Sequence, residues 1–110
     1  MKFSEYQKLA SRTISPTLNS NEIELHALHC LSSEVGEVHG IYQKAYQGHA
    51  VDNEHLKKEI GDCFWALAEL CTVSGFDMDE IAKINIDKLK ARYPEGFNPE
   101  RSLHRKDGDV

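Results

Sequence analysis

Apolar residues recur along this chain at gaps of three and four, and no segment shows the strict alternation of a half-buried strand. That periodicity restricts the chain to helices packed on helices. Four are predicted. The first spans about Phe3 to Arg12, with Phe3, Tyr6, Leu9 and Ala10 on one face, and Ser15-Pro16 prevents its continuation because the residue before a proline is pushed out of the helical region. The second spans about Glu22 to Tyr46, capped by Asn19, Ser20 or Asn21, with a stripe of Leu28, Leu31, Val35, Val38, Tyr42 and Ala45. Gly48 closes it. The third begins at a cap on Asp52 or Asn53 and runs to about Ser74, with Leu56, Ile60, Cys63, Phe64, Leu67, Leu70 and Cys71 as its stripe and Gly75 as its stop. The fourth covers about Met78 to Arg92 and ends before Pro94.

The expected architecture is an all-α antiparallel bundle of about four helices, since short connections favour antiparallel neighbours. At 110 residues the chain supports one domain, taken as residues 1–97, with a C-terminal tail, 98–110, expected to be partly mobile. A core this small is expected to be completed by a second copy of the chain.

Two four-residue motifs interrupt the apolar pattern: Glu34-Val35-Gly36-Glu37 in the second helix and Glu59-Ile60-Gly61-Asp62 in the third. Both read acid, apolar, glycine, acid, and an i, i+3 pair puts both carboxylates on one side of a helix. On a helical wheel Glu34 lies about 70° from the centre of its stripe and Glu59 about 80° from its own, with the second acid of each pair roughly 130–140° away. Antiparallel packing would let the two pairs face each other across one groove, and each glycine would allow a close approach by another helix or a ligand. Four like charges in one groove repel, so a compensating cation is expected. Hard carboxylate oxygens suit Mg²⁺ or Mn²⁺ rather than zinc, and an ion with few protein ligands keeps positions for water and phosphate oxygens.

The fourth helix carries a complementary feature. Asn85, Lys88 and Arg92 recur at spacings of three and four within the face that also holds Met78, Ile81, Ile84 and Leu89. Cations set among apolar residues need anionic partners. The pattern leaves two outcomes open: they grip phosphate oxygens, or they pair with carboxylates of the bundle.

Charge narrows the partners. The formal net charge is −5, which argues against nonspecific nucleic-acid binding, yet an acidic protein can still take phosphates through metal ions. Cys30, Cys63 and Cys71 form no C-x-x-C pair and are odd in number, as expected in a reducing cytoplasm. No run approaches a transmembrane length and the start has no apolar leader core, so no membrane partner is expected.

The two acidic motifs, followed by Asn85-Ile86-Asp87-Lys88-Leu89-Lys90-Ala91-Arg92-Tyr93-Pro94-Glu95-Gly96-Phe97, resemble the MazG-like all-α nucleotide pyrophosphohydrolases over about Leu28 to Phe97. The resemblance implies Mg²⁺-dependent hydrolysis of a nucleoside triphosphate to the monophosphate and pyrophosphate. It assigns Glu34, Glu37, Glu59 and Asp62 as metal ligands, one of which, or a nearby acid, orients the attacking water. Asn85, Lys88 and Arg92 become phosphate contacts, and the assembly becomes a homodimer or homotetramer. One departure concerns base recognition. Many relatives carry an aromatic four residues after the aspartate, where this chain has Ala66, with Trp65 one place earlier.

Weaker pocket candidates are His29, Lys44 and Trp65. His26-x-x-His29 beside Cys30 lacks a complementary metal-binding pair, and Trp65 is expected to be a core residue before a pocket one. Alternative readings are a pyrophosphohydrolase acting on a nucleotide-like intermediate of the phosphoribosyl-ATP type, and a non-catalytic helical module with a metal-stabilised interface.

Overall fold

The computed structural model describes residues 1–110 and contains five helices and no strand: α1 (Phe3–Ser11), α2 (Ser20–Tyr46), α3 (Asn53–Ser74), α4 (Met78–Arg92) and α5 (Pro99–Leu103). The helix ends follow from local chemistry. Asn19 accepts a hydrogen bond from the Glu22 amide while the Glu22 side chain accepts one from the Asn19 amide, so α2 starts two residues before the expected Glu22. Asp52 accepts from the amides of Glu54 and His55, and Asp77 from that of Asp79. Gly75 ends α3 in the left-handed region at φ 72°, where a Cβ would be strained. The fifth helix is an addition to the four expected. Asn98 caps it through the amides of Glu100 and Arg101, with Pro99 in its first turn.

The core is the antiparallel pair α2–α3. His26, near the start of α2, meets Glu69 near the end of α3, while Glu34 further along α2 meets the first half of α3. Ala27 and Ala66 are buried to 1% and 0% exposure at this seam, and such small side chains let the two backbones come close. Ala66→Leu would overpack it at a cost of about 1–3 kcal/mol. On another face of α3, Phe64 receives the ring edges of Phe3 and Tyr6 from α1. Gln7 fastens the corner beyond. Its amide nitrogen donates to the Phe76 carbonyl at 2.8 Å, and its carbonyl accepts from the Met78 amide at 3.0 Å.

Two expectations change. The neighbour of α4 is α1 rather than α3, because Gln7 and the Gly75 turn hold its first residue against α1. The apolar stripes also divide. Leu31, Val38 and Ala45 are partly covered, whereas Leu28, Val35 and Tyr42 on α2 and Ile60, Phe64 and Leu67 on α3 stay exposed by 40–49%. With α4 also exposing Ile81, Ile84 and Ile86, the radius of gyration is 17.3 Å, against about 13 Å for a compact chain of this length.

Candidate metal centre

The α2–α3 register delivers the acids to one place. Carboxylate oxygens of Glu34, Glu59 and Asp62 lie within 4.8 Å of one another. Glu34 and Glu59 are half-buried and Asp62 is exposed, as the wheel positions of first and second acids require. Glu37 is exposed and lies outside this group of three. An i, i+3 relation gives two acids a common side of the helix; it does not give them a common point, and Glu37 sits one turn further along.

Electrostatics within the group are uncompensated. Desolvation pushes the Glu34 carboxyl above its ordinary range, and the charges of Asp62, Glu59 and Glu37 add to the shift. The Cys63 thiol beside the group is raised by burial and then by the charges of Glu34, Asp62 and Glu59. The one ring donor at the site is His55, whose Nε2 stands 2.8 Å from Glu59 Oε1 across one helical turn. Sequence reasoning missed His55. The available signal was its i, i+4 spacing to a motif glutamate. Three hard oxygen donors within 4.8 Å of one another, close enough to share one ion, fit a divalent cation of the Mg²⁺ type.

The glycines of the motifs do not meet another helix of the same chain. Nothing lies within 4 Å of a Cβ built at Gly36 or Gly61, so no close approach within the chain requires either glycine.

The remaining candidates lie elsewhere. Asn85 and Lys88 are exposed on α4 rather than turned inward. Arg92 pairs with a carboxylate, but with one in the tail: its Nε and Nη2 donate to the two Asp109 oxygens at 2.8 and 2.6 Å. Lys88 and Arg92 border a cavity that contains none of the four acids. His29 and Lys44 are exposed. Trp65 donates from its indole N–H to Thr13 Oγ1 at 2.7 Å and stands edge-on to His26, which makes it a tie between α3 and the α1–α2 connection. His26 finds its partner in Glu69 rather than in His29 or Cys30.

A family model described as the MazG nucleotide pyrophosphohydrolase domain matches residues 23–97, which hold α2 from its fourth residue on and all of α3 and α4. No curated protein and no solved structure matches the chain. No helix is long and apolar enough to cross a membrane.

Proposed function

The chain belongs to the MazG nucleotide pyrophosphohydrolase domain family, and we propose that it hydrolyses a nucleoside triphosphate, ribo- or deoxyribo-, to the monophosphate and pyrophosphate with Mg²⁺ or Mn²⁺. The observation that carries this reading is the convergence of Glu34, Glu59 and Asp62 within 4.8 Å in a chain of that family. These three carboxylates hold the cation, and Glu37, one turn on, either completes the set or orients the attacking water. When bound, the ion offsets charge on the phosphate oxygens and makes a water more acidic. His55 fixes the Glu59 carboxylate in place.

The exposed flanks of α2, α3 and α4 support assembly as a homodimer or homotetramer. In that assembly Asn85, Lys88 and Arg92 of α4 serve as phosphate contacts. The base is read by side chains around the centre, with His29, Lys44 and Trp65 as the candidates. The three free cysteines suit a cytoplasmic setting.

Incubation of the full chain with a panel of nucleotides and Mg²⁺ tests the reading. Pyrophosphate release, without orthophosphate, is expected from at least one nucleoside triphosphate. Asp62→Ala should lower that rate by more than about a hundredfold, since even outer partners of metal ligands cost about 10–100-fold. A folded chain that turns over no triphosphate but cleaves phosphoribosyl-ATP would move the assignment to the nucleotide-like intermediate. One that binds Mg²⁺ and no nucleotide would leave the non-catalytic module.

A further inference from the structure

The α2–α3 seam has a level that the acidic centre does not use. Ala27 and Ala66 are buried in it, and Glu34 and Glu59 meet across it within 4.8 Å. From Ala27 to Glu34 the seam steps along α2 by three and then four residues, through Cys30. From Ala66 back to Glu59 it steps along α3 by three and then four, through Cys63. Equal steps in opposite directions keep antiparallel positions opposite one another, so Cys30 and Cys63 form the layer between the alanines and the glutamates. Both are half-buried free thiols. Neither has a C-x-x-C neighbour, so the pair arises only in the fold.

We propose that Cys30 and Cys63, together with Glu34 and Glu59, form a second metal site, selective for a thiophilic divalent cation such as Zn²⁺.

Three observations converge. The ligand types suit the ion: two sulfurs and two carboxylate oxygens make a four-ligand set that zinc accepts, whereas Mg²⁺ takes oxygen alone. The spacing suits it too. Cys30 and Glu34 are i, i+4 on α2, and Glu59 and Cys63 are i, i+4 on α3, so each helix offers two ligands from adjacent turns of one face. The thiols also feel these neighbours. Burial pushes the Cys30 thiol up first, and the charges that add to it include Glu34 and Cys63. Cys63 is likewise raised by burial, then by Glu34, Asp62 and Glu59. The sulfurs stand outside the group of three carboxylates, and a shared ion would draw them in by rotation about their Cα–Cβ bonds. Zn–S and Zn–O bonds of about 2.3 and 2.1 Å hold neighbouring ligand atoms about 3.5–4 Å apart. Binding exchanges the two S–H protons for metal–sulfur bonds and releases them to solvent.

The site shares two carboxylates with the acidic centre but does not depend on hydrolysis there, and its test reads metal–sulfur bonds. Cd²⁺ is titrated into the reduced full chain while thiolate-to-metal charge transfer is followed in the ultraviolet. A band that saturates at one ion per chain is expected. Cys30→Ser and Cys63→Ser should each weaken Cd²⁺ binding by about a hundredfold or more, and Glu34→Gln by at least about tenfold. Cys71→Ser, on α3 but outside this layer, should leave the titration unchanged. Cys30→Ala extends the alanine layer and should lose the site as Cys30→Ser does, with helicity by circular dichroism retained. The proposal is overturned if the natural chain gives no saturable band, if Cys71→Ser lowers it as much as Cys30→Ser, or if Glu34→Gln binds Cd²⁺ as tightly as the natural chain. A chain that binds Mg²⁺ without giving a thiolate band would lose this site and keep the acidic centre.

Discussion

His26 and Glu69, forty-three residues apart, meet with Nδ1 and Oε1 at 2.6 Å across the α2–α3 seam. Glu69 is 1% exposed, the largest side chain buried this fully, and its second oxygen has no partner. His26 is half-exposed and also stacks its edge on Trp65. Removing the histidine therefore harms more than removing the acid. His26→Ala leaves a buried carboxyl with no partner on either oxygen, at a cost of about 1–3 kcal/mol. Glu69→Met keeps the volume, removes the buried polar atoms, and leaves a histidine that water can reach, so it should cost less than His26→Ala. Urea unfolding of the two variants gives the comparison; a larger loss for Glu69→Met would contradict it.

Two glycines in open space should respond in opposite directions to the same substitution. Gly61 lies inside α3 and Gly75 ends it at φ 72°, and neither has an atom within 4 Å of a built Cβ. Gly61→Ala should stabilise the chain by roughly 0.5–1 kcal/mol through helix propensity. Gly75→Ala should destabilise it by about 1–2 kcal/mol, because alanine resists the left-handed region. Thermal unfolding in dilute solution measures both signs.

The contrast between local and distant determinants explains what could be read in advance. Helix ends were legible because Asn19, Asp52 and Gly75 act on amides and carbonyls a few residues away. The acids were legible because their i, i+3 spacing is local too, although Glu37 falls outside the group that three-dimensional register assembles. Glu69 was invisible: a single acid within an apolar stripe has no local sign of burial, and its partner lies on another helix. Arg92 needed a carboxylate or a phosphate, and the one it met, Asp109, lies in a tail whose sequence has no period to read. Nor can a wheel say which flank of a wide stripe meets its own chain, which is why Leu28, Val35 and Tyr42 were grouped with Leu31 and Val38.

The exposed flanks bear on assembly. Val35 on α2 and Leu67 on α3 are 42% and 40% exposed. A charge there should leave the single chain intact while opposing burial against a second copy. Leu67→Glu is expected to convert a dimer or tetramer into a monomer by analytical ultracentrifugation, with helicity by circular dichroism retained. A natural chain that sediments as a monomer at micromolar concentration would remove the assembly from the functional reading.

Glu34 makes the acidic centre sensitive to pH in a definite direction. Burial and the neighbouring carboxylates raise its pKa in the folded chain above the ordinary 4.5. The folded state therefore holds this proton more tightly than the unfolded state. The resulting stability is fully present below the unfolded value and is lost as pH rises through the folded one. At neutral pH and without metal, the ionised group opposes folding. Glu34→Gln should accordingly raise the unfolding midpoint of EDTA-treated protein at pH 7, and that advantage should shrink as pH falls towards 4.5. Added Mg²⁺ should stabilise the natural chain by relieving the same repulsion, and should stabilise Glu34→Gln less. Urea midpoints across pH, with and without Mg²⁺, test both halves. An advantage for Glu34→Gln that grew on acidification would reverse the assigned sign, and equal Mg²⁺ stabilisation of both chains would take Glu34 out of the metal centre.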